Sequence, residues 1–237
     1  MNHKNEDIAK KKIILLTYNS PHRKTYDVAC LLKAKGFANV SLFATDFHYT
    51  KKFKPLVEHR PPVVNEIHPK DLASAIAYNF YYFDSLDKIN PKDYLDSIFL
   101  ICGAGILPEA LVNSCKVINA HPGILPFVRG LDALKWALYE EKPIGVTCHL
   151  ASSEPDAGLL ISQKEIKMGP YDTIESLGYK VYDQEISMLV NAIYLLDSAI
   201  RKNIIINPGD SIVHRRMPDN IERELIKKLA LRQINNI

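Results

Sequence analysis

Asn119 and His121 are the two side chains in this sequence that are best placed, by type and spacing, to do chemistry. They stand two positions apart at the end of a short apolar run, and a Pro122-Gly123 turn follows them directly. An amide and an imidazole held at a strand end can donate hydrogen bonds to a carbonyl oxygen and handle a proton. The pattern therefore predicts a functional site, and its simpler alternative is a strand end that happens to carry two polar residues.

Asp156 and His149 form a second group of polar residues. Asp156 belongs to the turn-prone loop Ser152–Gly158, where an aspartate by itself is more often a turn former than a catalyst. His149 alternates with apolar neighbours in a strand pattern, which by itself favours a buried structural histidine. Neither residue predicts a function when it is taken alone.

Two glycines, Gly103 and Gly105, follow another apolar run. They do not form the G-x-G-x-x-G fingerprint of dinucleotide-binding proteins, and the sequence contains neither a Walker loop nor a nucleophile elbow. Glycines at a strand end also allow a flat ligand to approach the backbone, and a simple close turn is the alternative explanation.

The composition is typical of an ordinary globular protein. With 47% hydrophobic and 24% charged residues among 237, the chain can bury a sizeable core. Its 30 basic and 27 acidic residues are interleaved, so the net charge of +3 predicts no nucleic-acid partner. Four separated cysteines lack the spacing of a metal site, and we expect no metal. No secretory signal or membrane-spanning run is evident, so we expect a cytoplasmic protein without a membrane partner.

Strand and helix patterns alternate along the chain. Three apolar runs are typical of strands buried on both faces, namely Lys12–Tyr18, Val40–Thr45 and Ser97–Cys102. Helical patterns separate the strands, and two of the shorter ones are predicted over residues 71–78 and 84–89. This order predicts an α/β fold with a doubly wound, mostly parallel Rossmann-like sheet and helices on both faces. A composition shift near residue 203 predicts a main domain over 1–202 and a short C-terminal strand and helix extension over 203–237.

Five short motifs, taken together, resemble the folate-dependent formyltransferase family. In chain order they are Asn119–Pro126, Arg129-Gly130, Gly145–His149, Asp156–Gly158 and Ile161–Gln163. The order and spacing make the resemblance far more specific than any single motif does, and it covers about residues 97–197. It implies that Asn119, His121 and Asp156 are a catalytic trio, that His149 is a structural histidine, and that the main domain is a formyltransferase catalytic domain.

The resemblance also implies a cosubstrate, 10-formyltetrahydrofolate. Its pterin would lie against backbone at a strand end, a role that falls on Gly103, Gly105, Ile106, Leu107, Glu154, Pro155 and Gly158. A formyl group that moves from N10 to a primary amine passes through a tetrahedral oxyanion. Asn119 and a protonated His121 would donate to that oxyanion, each donor contributing about 3 kcal/mol to the lowering of the barrier. Asp156 would orient His121 and help to move the amine proton through water.

The acceptor amine divides the family into branches. The branch that formylates glycinamide ribonucleotide holds phosphate with a glycine-rich turn after the first strand, whereas this chain has Tyr18–Arg23 there. A long helix is predicted from Asp172 or Thr173 to about Ile200. The methionyl-tRNA branch carries a second, basic C-terminal domain, for which the residues after this helix are too few. The most similar branch acts on nucleotide-linked amino sugars in bacterial surface polysaccharide synthesis.

A sugar N-formyltransferase is therefore the prediction. Arg129 is the candidate ligand for the acceptor's diphosphate or sugar because its planar fork suits phosphate, and His22 and Arg23 are weaker candidates. Glycinamide ribonucleotide is the alternative acceptor. A formyltetrahydrofolate hydrolase and a non-enzymatic folate- or nucleotide-binding module are competing hypotheses. The apolar run Ile204–Ile206 predicts an exposed edge strand and a homodimer through it.

Overall fold

The structure, a computed structural model, describes residues 10–46, 54–63 and 66–235. Within these ranges the strands are β1 (Ile13–Tyr18), β2 (Val40–Thr45), β3 (Asn79–Phe83), β4 (Ile98–Ile101), β5 (Lys116–His121), β6 (Arg129–Gly130), β7 (Gly145–Leu150), β8 (Gly158–Glu165), β9 (Ile205–Ile206) and β10 (Val213–His214). The helices are α1 (Arg23–Ala34), α2 (Pro69–Ala75), α3 (Glu109–Ser114), α4 (Ala133–Tyr139), α5 (Ile174–Lys202) and α6 (Asp219–Asn235), with 3₁₀ turns at Leu86–Lys88 and Pro91–Tyr94.

Eight strands form one sheet in the order β3-β2-β1-β4-β5-β7-β8-β9. The first five run parallel to one another, and the last three alternate in direction. The remaining strands, β6 and β10, form a small parallel sheet of their own. The strand order reverses between β1 and β4, which is where a doubly wound sheet has the crevice that binds ligands. The predicted α/β fold with a mostly parallel sheet is confirmed.

Apolar side chains cover both faces of this sheet. Ile13 and Leu15 of β1 belong to one core cluster, which packs against α1 and α5. Ile14 and Leu16 belong to a second cluster, which includes residues of α3 and of the 3₁₀ turns. Neighbouring residues of a strand point to opposite faces, so a continuous apolar run such as β1 requires cover on both sides. The predicted helices on both faces are confirmed.

Residues 79–83 form a strand that the sequence patterns do not predict. The helix predicted over 71–78 ends at Ala75, and the one predicted over 84–89 is only a 3₁₀ turn at Leu86–Lys88. β3 is the outermost strand next to β2, and its residues are exposed or half-buried. Its pairing with β2 is a long-range contact, which a local periodicity cannot show.

The residues after α5 pack against the rest of the chain through three elements. β9 pairs with β8, β10 pairs with β6, and α6 packs against α4. Lys135 of α4 and Glu222 of α6 form an ion pair in which both side chains are fully buried. Glu222 also accepts a hydrogen bond from the backbone N–H of Leu56, at 2.9 Å. The boundary between residues 202 and 203 stays a prediction, and the outer ends, 1–9 and 236–237, lie outside the described residues.

β9 is the last strand of the large sheet in the part of the chain that the structure describes. Ile204 and Ile205 are 51% and 59% exposed at this edge. An open strand edge with apolar side chains favours pairing with another chain. Dimerisation through β9 stays a prediction, which gel filtration checks by the apparent mass.

Glu185 of α5 is the centre of a buried charge network. Its carboxylate lies 2.7 Å from Nζ of Lys24 on α1 and also accepts a hydrogen bond from Arg60. Burial acts to raise the pKa of Glu185, but Arg60 and Lys24 outweigh it and lower the pKa to about 2. The carboxylate is therefore charged at neutral pH, and it joins α1, α5 and residues 54–63.

Glu185→Gln removes the counter-charge of Lys24 and Arg60. Because Lys24 stays buried, we expect the free energy of unfolding at pH 7 to fall by about 3–5 kcal/mol, measured by urea denaturation. The Glu185 pKa is lower in the folded chain than in the unfolded chain. The stabilisation by Glu185 is therefore present above about pH 4.5 and lost as the pH falls towards 2.

The control for this variant is Asp183→Asn, which removes an exposed carboxylate from the same helix. It should change stability by less than about 0.5 kcal/mol. Wild-type stability of Glu185→Gln at pH 7 would contradict the structural role of the network.

Candidate active site

Asn119 and His121 lie on the same face of β5, two positions apart, at the carboxyl end of the parallel part of the sheet. β5 lies between β4 and β7, and its register places Asn119 opposite His149 and His121 opposite Thr147. Val117, on the same face of β5, belongs to the second core cluster. His121 is 3% exposed, whereas Asn119 is half-buried.

The turn after β5 is held directly against the imidazole of His121. A Cβ atom on Gly123 would lie 2.7 Å from His121 Nε2, so only glycine allows this approach. Thr147 Oγ1 donates to the Gly123 carbonyl oxygen at 2.8 Å and accepts from Leu125 N at 3.0 Å. Gln163 Nε2 donates to the Leu125 carbonyl oxygen at 2.9 Å. Thr147 and Gln163 thus position the turn, a role that the sequence patterns do not predict.

His121 lies between two oxygen acceptors. Its Nε2 is 2.9 Å from the Val128 carbonyl oxygen, and its Nδ1 is 3.3 Å from Oδ1 of Asp156. A neutral imidazole has one N–H and can donate to only one of these oxygens, whereas an imidazolium can donate to both. The surroundings of His121 therefore suit the charged form of the ring, as the resemblance implies.

Asp156 reaches His121 from the loop between β7 and β8. Its backbone is in the left-handed region, with φ at +51°, which aspartate tolerates better than most residues do. Its Oδ2 accepts a hydrogen bond from the Gly130 N–H at 2.6 Å, while Oδ1 faces His121. Each carboxylate oxygen thus has its own partner, and this fixes the orientation of the group. The structure brings Asp156 and His121 together, and their catalytic roles stay predictions.

His149 holds the Asn119 amide from the neighbouring strand. Its Nδ1 is 3.3 Å from the Leu150 carbonyl oxygen, which calls for a proton on Nδ1. Burial is the main cause that lowers the pKa of His149, and His121 lowers it further, although Asp156 opposes them. The ring is then neutral, and its Nε2 can accept from Asn119 Nδ2, at 3.4 Å. Asn119 keeps a second N–H for a ligand.

The residues predicted to bind folate lie in two segments on the same side of the sheet. Gly103, Gly105, Ile106 and Leu107 follow β4, and the segment packs on the second core cluster through Leu107. Ile106 is 99% exposed, so it is open to a ligand. Glu154, Pro155 and Gly158 share the loop of Asp156 or its junction with β8, and the neighbouring Ala151 also packs on the second cluster. Their contacts with folate stay predictions.

The predicted acceptor ligands are already engaged by protein groups. Arg129 is 3% exposed and bonds to Glu154, Pro155 and Ser211. Arg23 bonds to the Asp27 carboxylate and to the Pro62 carbonyl oxygen.

His22 donates to or accepts from Thr25 Oγ1 at 3.0 Å, and its ring packs edge-on against Tyr18. Burial, followed by Lys24 and Arg60, lowers the pKa of His22 to about 4, so it is neutral at pH 7. These contacts give no support to phosphate binding by Arg129, Arg23 or His22.

Two further classes of site find no support in the described residues. Among residues 10–46, 54–63 and 66–235, no cluster of three or more His, Cys, Asp or Glu side chains has the arrangement of a metal site. The helices in these ranges are all too short or too polar to cross a membrane.

Comparison with known proteins decides the family. Residues 20–193 match the formyl transferase family. The chain belongs to the formyl transferase family. It is 30% identical over 219 residues to the bifunctional polymyxin resistance protein ArnA of Wigglesworthia glossinidia brevipalpis. This match covers 87% of this chain and 31% of that protein. In each of six curated relatives, this formyl transferase chain matches only 9–36% of the relative's own length.

Two crystal structures illustrate the shared fold of these formyl transferases. The Helicobacter canadensis N-formyltransferase, in complex with folinic acid and dTDP-3-aminofucose, has a TM-score of 0.60 and 15% identity over 87% of this chain and 71% of that chain. Glycinamide ribonucleotide transformylase 1 of Symbiobacterium toebii has a TM-score of 0.60 and 16% identity over 87% of this chain and 95% of that chain. At these identities the likeness concerns the fold alone.

Gly158→Ala should disturb the junction between the acidic loop and β8. Gly158 has a φ of +107°, and a Cβ there would lie 2.1 Å from the Leu150 carbonyl oxygen. We expect the free energy of unfolding to fall by more than about 2 kcal/mol in urea, because backbone strain and a steric overlap act together.

The matched control is Gly36→Ala. Gly36 has a φ of +84° but open space around the Cβ position, so only the backbone strain remains. A loss of about 1 kcal/mol is expected there. Equal losses for the two variants would show that the Gly158 junction does not require the close approach.

Proposed function

We propose that this chain transfers a formyl group from 10-formyltetrahydrofolate to a primary amine. The observation that carries the proposal is the hydrogen bonding around His121, whose ring nitrogens face the Val128 carbonyl oxygen and the Asp156 carboxylate. Asn119, fixed by His149, offers a free amide N–H on the same face of β5. Two N–H donors directed at the same oxygen favour an oxyanion over a neutral carbonyl.

In the proposed reaction the amine nitrogen attacks the formyl carbon, and the carbonyl electron pair moves to oxygen. Asn119 Nδ2–H and His121 Nδ1–H stabilise that oxygen. The separation of 3.3 Å between Nδ1 and Asp156 is long for a charge-assisted hydrogen bond, so the N–H can be shared with an incoming oxygen. The bond from carbon to N10 then breaks and releases tetrahydrofolate.

Asp156 completes the proton balance. The attacking amine loses one proton, and N10 of the leaving tetrahydrofolate gains one. The Asp156 carboxylate is half-buried and so remains accessible to a water molecule, which can carry the proton from the amine.

A nucleotide-linked amino sugar is the proposed acceptor. Phosphate binding in the turn after β1 would require cations or free backbone N–H groups there. Instead, the Tyr18 and His22 rings pack against Gly103, with Tyr18 Cε2 2.7 Å from where a Cβ would lie. His22 is neutral at pH 7, and the Arg23 guanidinium is bonded to the Asp27 carboxylate and the Pro62 carbonyl oxygen, so this turn is poorly suited to the phosphate of glycinamide ribonucleotide.

The comparisons support this acceptor in part. The Helicobacter canadensis N-formyltransferase was crystallised with dTDP-3-aminofucose, a nucleotide-linked amino sugar. A product of that class would serve bacterial surface polysaccharide synthesis, as the sequence resemblance implies. The likeness to a glycinamide ribonucleotide transformylase, over 95% of that chain, keeps glycinamide ribonucleotide as the second candidate.

The acceptor is tested with purified protein and 10-formyltetrahydrofolate in three parallel reactions. One contains a panel of nucleotide-linked amino sugars, one contains glycinamide ribonucleotide, and one contains no amine. Tetrahydrofolate release and a formamide product only with an amino sugar are expected. Release of tetrahydrofolate only with glycinamide ribonucleotide would make that compound the acceptor in place of an amino sugar. Equal release of tetrahydrofolate without any amine would indicate a hydrolase. If the protein binds folate but releases tetrahydrofolate in none of the three reactions, the hypothesis of a non-enzymatic binding module is supported instead.

Two substitutions test the roles of the catalytic groups. Asn119→Ala should lower kcat about 100- to 1000-fold, because one oxyanion donor is lost. Asp156→Asn should lower kcat about 100- to 10,000-fold, because Asn keeps an acceptor for Gly130 but carries no negative charge. Steady-state kinetics with the preferred acceptor provide the measurement.

The matched control for Asn119→Ala is Asn39→Ala, an exposed asparagine next to β2. It should leave kcat unchanged. Wild-type turnover by Asn119→Ala or Asp156→Asn would contradict the proposed mechanism.

A further inference from the structure

We propose that Arg129 and β10 together position the Asp156 carboxylate, so that the C-terminal segment is a working part of the active site. In this proposal Arg129 is a positioning residue and not a ligand for the acceptor. The inference rests on the proposed function of Asp156, and it goes beyond that function by assigning a role to residues far along the chain.

The Arg129 guanidinium joins the acidic loop to the C-terminal segment. Its Nη2 donates to Glu154 Oε1 at 2.8 Å and to the Pro155 carbonyl oxygen at 2.6 Å. Its Nη1 donates to the Ser211 carbonyl oxygen at 3.3 Å. Glu154 and Pro155 directly precede Asp156, so the guanidinium holds the backbone that carries the carboxylate.

The neighbouring residue, Gly130, makes the second connection. Its N–H donates to Asp156 Oδ2 at 2.6 Å. Its own position is set by the pairing of β6 with β10, in which Gly130 lies beside His214 and the Leu131 N–H donates to the His214 carbonyl oxygen at 2.9 Å. The two residues of β6 therefore hold the acidic loop by a side chain and by a backbone N–H, and β10 supports both.

The contact between β6 and β10 is closer than a side chain at position 130 would allow. Gly130 has a φ of +89°, and a Cβ there would lie 2.1 Å from the His214 carbonyl oxygen. The backbone of β10 therefore rests directly on the residue that donates to Asp156, and a displacement of β10 is transmitted to the carboxylate without an intervening flexible side chain.

β10 is itself anchored on α4. The His214 ring stacks on Trp136 with a centroid distance of 4.3 Å and an interplanar angle of 17°, and Trp136 Nε1 donates to the Arg215 carbonyl oxygen at 2.9 Å. Asp132 Oδ2 accepts from the Met217 N–H at 3.0 Å. These contacts anchor β10 through groups other than Asp156.

Burial argues against a ligand role for Arg129. Its side chain is 4% exposed, and three protein oxygens already receive its terminal N–H groups. A phosphate at the terminal nitrogens would have to compete with the Glu154 carboxylate and with the Pro155 and Ser211 carbonyl oxygens. The charge of Arg129 is instead used within the protein.

Arg129→Met tests the proposal, with Arg215→Met as the matched control. Arg215 lies in the same C-terminal segment, and its side chain is exposed. Hydrogen exchange followed by mass spectrometry on residues 152–158 measures whether the loop is still held. We expect exchange in Arg129→Met to be at least about 10-fold faster there, and unchanged in Arg215→Met.

The kinetic measurement separates positioning from binding. A displacement of Asp156 by about 1 Å is expected to lower kcat about 10- to 100-fold, with the acceptor KM unchanged within about twofold. A raised acceptor KM with wild-type kcat would make Arg129 a substrate ligand and overturn the proposal. Wild-type exchange over residues 152–158 would overturn it as well.

Arg129→Lys is the second variant if Arg129→Met does not fold, as judged by circular dichroism. Lysine keeps the charge but cannot bridge two segments with a planar fork, so the same faster exchange and lower kcat are expected to a smaller extent. Wild-type exchange and kcat in Arg129→Lys would contradict the proposal.

The two proposals fail in different ways. If Asp156→Asn keeps full activity, the proposed function of Asp156 is wrong, whatever Arg129→Met does. If the acceptor is another amine, the exchange comparison still applies because it needs no substrate, and the kinetics are run with the amine that wild type uses.

Discussion

The buried imidazole of His121 is the constraint on which the rest of the site depends. A ring that is 3% exposed and faces the Val128 carbonyl oxygen on one side and the Asp156 carboxylate on the other has little freedom to rotate. Both acceptors must be delivered by other parts of the chain, since a strand residue has no local partner for either nitrogen. The turn after β5 supplies one acceptor, and the loop between β7 and β8 supplies the other.

The chain uses buried hydrogen bonds and ion pairs to hold these two segments. Thr147 and Gln163 fix the turn from β7 and β8, and Arg129 fixes the acidic loop. The Lys135–Glu222 pair joins α4 to α6 behind the same region. Buried ion pairs add little net stability compared with apolar packing, but each is costly to break, so they restrict the chain to one arrangement.

The residues proposed for formyl transfer and those on which the proposed acceptor rests lie in different parts of the fold. The proposed oxyanion donors, Asn119 and His121, lie on β5, a strand buried on both sides. The proposed choice of acceptor rests instead on the turn after β1, a loop outside that strand. This division is common in α/β proteins, whose loops vary on a rigid sheet.

The sequence by itself predicted most strands of the central sheet and the α/β fold, and the family resemblance proposed the trio of Asn119, His121 and Asp156. Each rests on a local pattern: apolar runs, a Pro-Gly turn, and five motifs in a fixed order. The sequence did not reveal β3, because its aromatic residues become a strand only by pairing with β2. It also suggested that Arg129, a cation in a loop, would face a ligand.

Only the tertiary structure buried Arg129 between the acidic loop and the C-terminal segment, and only it placed β10 against Gly130. These contacts join residues that are far apart in the chain. Their formation depends on how α4, α5 and α6 pack, and no local spacing records that packing. The sequence therefore predicted the types of the proposed catalytic groups, but it did not predict the contacts that hold them in place.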